Sequence, residues 1–222
     1  TPFALALPST LAQHLQTTED LSLAYPLATF VRWIRFLGFF FTLLLPSVYV
    51  GVLTYHPEIV PPQLLSSILS ARDGVPFPVL MEALVMEVIF ESLREASIRM
   101  PRSIGSAISI VGALVIGESA VNAGIISSPA VIVVAGTAIA SFTIPSIALS
   151  GTIRLLRFGM LFLASLLGLY GVMIGFFLMT IQLAALKSVG VPYLKPFAPA
   201  KGDKLQKTLI RAPMSPLKNG RK

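Results

Sequence analysis

Glu118 and Asn122 stand four residues apart in the otherwise apolar stretch from Ile104 to Ile126. An ionisable side chain inside a membrane segment is costly, and it is tolerated where it faces a bundle interior or an aqueous cavity. At helical spacing Val111, Val115, Glu118 and Asn122 form one stripe, with two valines as an apolar constriction beside a polar pair. That combination suits a water or ion path gated by dewetting. Gly105, Ser109, Gly112, Ile116 and Ser119 form a second stripe of mostly small residues, which suits close helix approach. The plainer alternative is that Glu118 ends its helix at an interface.

A second polar cluster lies just before. Val79 to Met100 carries Glu82, Glu87, Glu91, Arg94, Glu95 and Arg99, and Pro101 closes it. Glu87, Glu91, Arg94 and Glu95 share one face, while Val85, Met86, Ile89, Phe90 and Leu93 occupy the other, so the spacing predicts an amphipathic helix at the outer interface. Two readings stay open. Repeated carboxylates in an oligomer would make an electronegative vestibule that concentrates cations. Alternatively the face is simply solvated, with Glu91–Arg94 and Glu95–Arg99 pairs contributing a few tenths of a kcal/mol each, about 0.2–0.5. Glu82 projects from the apolar face, where a carboxylate needs a partner, a helix N-terminus or water.

Enzyme signatures are missing. There is no Gly-Lys-Ser/Thr phosphate loop, dinucleotide fingerprint or His-Glu-x-x-His. With no cysteine, thiolate catalysis and Cys-based metal sites are excluded. His14 and His56 are isolated, and no acid and nucleophile pair falls on one helix face. The expectation is a protein that is not an enzyme, with no metal and no cofactor.

The elements that must position these residues are membrane helices. Only 12% of the 222 residues are charged, against about a quarter in soluble domains, and the apolar residues gather into runs near the roughly 20 needed to cross a hydrocarbon core. The expected fold is all-α, a polytopic bundle with about four spans at residues 36–55, 104–122, 127–148 and 158–186, plus the glutamate-rich helix. Pro46 falls inside the first span and predicts a kink. Residues 1–31 read as a lead-in broken by prolines, 32–190 as the transmembrane domain and 191–222 as a basic cytoplasmic tail. The Thr1-Pro2-Phe3 start gives no expectation of a cleavable signal peptide.

The formal charge of +7 belongs to that tail. Nine of the 17 Lys and Arg residues follow Leu186, against one acid, Asp203. Such a tail marks the cytoplasmic side and is attracted to anionic lipid, so it carries no case for nucleic acid. Two adjacent short segments interrupted by Gly and Pro keep a secondary transporter as an alternative, although no inverted repeat supports it.

Ordered blocks of residues also resemble a known family. They include Pro76-Phe77-Pro78, Glu82-Ala83-Leu84, Leu93-Arg94-Glu95-Ala96, Ser109-Ile110-Val111-Gly112-Ala113-Leu114-Val115-Ile116-Gly117, Arg154-Leu155-Leu156-Arg157-Phe158 and Gly190-Val191-Pro192-Tyr193-Leu194. Over residues 13–213 the chain resembles the spore germinant-receptor A-subunit family, which includes a stage V sporulation paralogue. The resemblance implies a multi-pass protein of the inner spore membrane, working with a transporter-like B subunit and a lipoprotein C subunit. It further implies a homo-oligomer forming a nutrient-gated cation channel, with Glu118 and the Val111–Val115 stripe on the path. A non-conducting structural partner of such a complex is a third reading.

Overall fold

The computed structural model describes residues 9–17, 20, 22–99, 115 and 117–198. Val111, Gly105, Ser109 and Gly112 therefore lie outside the described residues, as does most of the basic tail.

A short turn, α1 (Leu11–His14), precedes the long helix α2 (Tyr25–Tyr55). This helix starts well before Arg32, because Pro26 sits in its first turn, where a missing N–H costs nothing. Pro46 is buried within α2, and the helix runs through it unbroken. A turn at Pro57–Ile59 leads to α3 (Pro62–Ala71) and then to α4 (Val79–Arg99). After the helical residues 117–122 come α5 (Ser128–Phe142), α6 (Ile147–Leu167) and α7 (Leu169–Ala185). A two-residue hairpin follows, with Lys187–Ser188 paired to Val191–Pro192 through Val189 and Gly190, both at positive φ.

Contacts along α2 set the direction of every other helix. Leu11 N–H donates to the Tyr193 carbonyl at 3.0 Å and Ser9 N–H to the Ser188 hydroxyl at 3.2 Å. His14 stacks against Tyr193 and bonds the Ser146 hydroxyl at 3.3 Å. The start of α2, the start of α6 and the end of α7 thus share one end of the bundle, called here the near end. At the far end the Tyr55 hydroxyl donates to the Ser165 carbonyl at 2.7 Å, and Gly51 packs on Gly168. Consequently α6 runs parallel to α2 and α7 returns. Gly38 faces Thr143 while Gly136 faces Leu45, so α5 runs antiparallel to α2.

Two expectations are corrected. Residues 158–186 do not form one span, because Gly168 takes φ +62° and folds the run into a tight hairpin of α6 and α7. That conformation is open to glycine at little cost, so one residue reverses an apolar run that composition reads as continuous. Nor does α4 lie across the outer interface. Val79 and Ala83 pack with Val50 and Leu161 near the far end, whereas Arg94 reaches Ser141 at the end of α5, so α4 follows the bundle axis.

Among the described residues, two helices are long and apolar enough to cross a membrane, α2 with 31 residues and α6 with 21. Helices α5 and α7 are apolar but shorter, at 15 and 17 residues. At 1.5 Å per residue they reach about 23 and 26 Å, just short of a hydrocarbon core of about 30 Å. The all-α bundle is therefore observed with two such helices rather than about four.

The near end also carries a buried carboxylate. Arg35 Nη1 donates to both oxygens of Asp20, at 2.9 and 2.8 Å, and Thr17 adds its N–H and hydroxyl. Burial alone would raise the Asp20 pKa, but the Thr17 N–H and the Arg35 guanidinium outweigh it and hold the carboxyl below the usual carboxylate range. Because the folded pKa is depressed, its stabilisation is present above an unfolded value of about 3.9 and is lost as pH falls through the folded value. Hydrogen exchange at residues 9–17, corrected for intrinsic rates, should therefore stay flat down to about pH 4 and accelerate below. Asp20→Asn should show the faster exchange at every pH.

Candidate functional site: an inward ion-pair ladder and an outward polar stripe

Three of the α4 carboxylates, Glu82, Glu87 and Glu91, turn toward neighbouring elements of the bundle. Glu82 is fully buried, with Oε1 at 2.9 Å from Arg72 Nη2 and Oε2 accepting from the Ser127 N–H at 2.9 Å and hydroxyl at 2.6 Å. Ser127 is the N-cap of α5, so Glu82 from a neighbouring helix satisfies an orphan donor and sits at the positive end of the α5 dipole. The cation and the helix N-terminus that this position demanded are both supplied.

One and a half turns on, Glu87 Oε2 lies 2.6 Å from Arg157 Nη2, with the side chains only 2% and 5% exposed. Glu91 pairs with Arg154, whose Nε also donates to the Ser150 carbonyl at 3.3 Å. Arg94 donates to the Ser141 hydroxyl at 2.5 Å and lies over the Phe142 ring at 4.8 Å from its centroid. Glu87, Glu91 and Arg94 thus form a ladder fastening α4 to α6 and α5. Its sign does not favour a cation, since the two carboxylates face three guanidiniums.

Glu95 leaves the ladder and makes an exposed 2.7 Å pair with Arg99, as the sequence suggested. The Glu91–Arg94 pair does not form, because each side chain finds a partner on another helix. The faces of α4 do not divide into apolar-in and charged-out, since Ala83 and Met86 are buried alongside two carboxylates. Met81, Val85 and Val88 point outward, whereas Glu82 and Glu87 are buried. In hydrocarbon an apolar face needs no shelter but a carboxylate does.

Arg72, Arg154 and Arg157 were missing from the sequence-level site. A signal for two of them was present, since Arg154 and Arg157 are spaced to share one helix face within an apolar run, as are Glu87 and Glu91. Matching the two faces required knowing that α4 and α6 are neighbours.

The second feature faces the opposite way. Residues 117–122 pack through Gly117, against Val131, and Ala120, against the Met86, Ile126 and Val134 cluster. Val115, Glu118, Ser119 and Asn122 are all exposed on the other face, so one stripe combining a carboxylate, a hydroxyl and an amide points out of the bundle. Gly124, at φ +65°, turns the chain back toward α5. Glu118 therefore lies about 9 Å along the helix from that turn. The structure brings Val115, Glu118 and Asn122 together and keeps them apart from the α4 ladder.

Among the described residues no three His, Asp or Glu side chains converge as metal ligands. His56 stacks on Tyr170 at 5.8 Å, with Glu58 3.5 Å from its Nδ1.

Comparison with known proteins agrees with this bundle of apolar helices. The model of the Bacillus/Clostridium GerA spore germination protein family matches residues 1–222, and the chain belongs to that family. It is 47% identical over 213 residues to an uncharacterized membrane protein, YfkQ, of Bacillus subtilis (strain 168), covering 96% of this chain and 42% of that protein. Spore germination protein KA of the same organism is also 47% identical, over 96% of this chain and 39% of its own length. Spore germination protein GerQA of Bacillus cereus is 40% identical over 96% and 43%. The chain spans about two fifths of the length of these relatives. No solved structure matches it. With two helices able to cross a bilayer and large apolar side chains along their outer faces, this family member is a membrane protein.

Proposed function

We propose that this chain is the membrane portion of a spore germinant-receptor subunit that assembles with copies of itself into a nutrient-gated cation channel triggering germination. It would be a non-enzymatic component of the inner spore membrane. The single observation carrying the conduction reading is the outward stripe of Val115, Glu118, Ser119 and Asn122. A carboxylate that faces away from its own bundle inside a membrane needs water or another subunit, and a ring of copies supplies both. Four crossings by α2, α5, α6 and α7 would put both chain ends on one side, and the positive-inside bias makes that side cytoplasmic. Helix α4 and residues 117–122 would fill the bundle alongside, entering from and returning to the far end. Association with transporter-like B and lipoprotein C subunits belongs to the same reading.

The test is potassium efflux from liposomes containing the full-length subunit with its partners, opened by nutrient. Glu118→Gln should lower the flux about tenfold, the local cation enrichment expected of a charged pore lining. Flux unchanged by Glu118→Gln would remove this residue from the path. Solute-coupled exchange without channel-like conductance would point to a secondary transporter. Stable complex formation with neither activity would leave a structural role, to which the internally paired α4 ladder is equally suited.

A further inference from the structure

At the near end a cleft of about 440 Å³ opens between α2, α7 and the chain after the hairpin. Its walls include Trp33, Phe36 and Phe40 of α2, Met179 and Leu183 of α7, and Leu194 and Phe197 beyond. The one hydroxyl in the lining, that of Thr180, is turned back to the Phe177 carbonyl at 2.7 Å.

We propose that this cleft is a binding site for one acyl chain of an anionic membrane lipid, whose headgroup is held by Lys187 and Lys195. The lining disfavours an extended peptide on chemical grounds. A peptide strand would bring N–H and C=O groups to a wall with no free partner for them. A hydrocarbon chain needs no hydrogen bonds at all.

The charge at the rim selects the headgroup. Leu194 and Phe197 line the cleft with Lys195 between them in the chain, and Lys187 comes two residues after the end of α7, which lines the cleft through Leu183. Lys187 is exposed and Lys195 half-buried. The near-end guanidiniums of Arg32 and Arg35 are both already paired with Asp20. Two lysines beside an apolar slot at the basic end of the protein match an anionic phosphate over a hydrocarbon tail. The site is separate from both the ladder and the outward stripe, so its failure would leave the conduction reading untouched.

Trp33 is the only tryptophan in the chain and lies in the wall, which provides a built-in reporter. The chain would be reconstituted in phosphatidylcholine vesicles containing the same low fraction of either brominated phosphatidylglycerol or brominated phosphatidylcholine. The brominated anionic lipid should quench Trp33 as efficiently as about fivefold more of the zwitterionic one, the enrichment expected of one basic side chain at a membrane surface. Lys187→Gln with Lys195→Gln should abolish that difference. Leu183→Phe, which narrows the slot, should lower quenching by both lipids with the helix content unchanged. Equal quenching by the two lipids in the unaltered chain would overturn the proposal in favour of unselective lipid contact. Retention of the difference in the double lysine variant would overturn the headgroup assignment. Absence of quenching by either would mean that protein, not lipid, covers the cleft.

Discussion

Arg157→Met is expected to destabilise the bundle by about 3–5 kcal/mol, because it strands a buried carboxylate rather than merely deleting a contact. Glu87 is 2% exposed, and Arg157 Nη2 at 2.6 Å is the cation that neutralises it. Its Oε1 already lacks a hydrogen-bond partner, so no second donor stands ready to take over. The matched variant Glu87→Gln with Arg157→Met should recover most of the loss, since removing both charges also removes both desolvation costs. The double-mutant cycle read by thermal unfolding in detergent would give the coupling energy directly. If Arg157→Met alone melted like the unaltered protein, the ladder would not hold α4 to α6.

Gly171→Val is expected to prise α7 away from α6. A Cβ at this position would fall inside the envelope of the Leu163 carbonyl oxygen, and that atom belongs to a helix backbone that cannot rotate aside. Overpacking of this kind costs about 1–3 kcal/mol or more. Because Gly168 leaves no loop to absorb a shift, the whole hairpin has to open. Gly159→Ala on α6 is the control, since its Cβ would meet open space. A disulfide introduced between the facing helices should form readily in the control and poorly in Gly171→Val. Equal crosslinking in both would contradict the tight hairpin.

These effects locate what the residue pattern conveyed and what it hid. Periodicity alone placed Val115, Glu118 and Asn122 on one face, and they lie on one face, because a stripe is a property of a single helix. The same logic put Glu87 on one water-facing side with Glu95; Glu95 is exposed, but Glu87 lies buried on Arg157. Which face turns inward depends on the surrounding medium and on the partners across the gap, Arg154 and Arg157, 63 and 70 residues further along the chain than Glu91 and Glu87. Gly168 was invisible for a different reason. Hydropathy averages over a window, and a one-residue reversal between Leu167 and Leu169 leaves the average untouched. Glu82 was legible as a problem needing a cation or a helix N-terminus; only the fold could say that Arg72 and Ser127 answer it.

The backbone bond from Leu11 to Tyr193, with Ser9 held by Ser188, has a mechanical meaning. It stitches the chain ahead of the first long helix to the hairpin and turn that follow the last one. Pulling either segment away from the bundle would have to break these bonds first, so the two ends of the bundle's chain are anchored to each other as well as to their own helices.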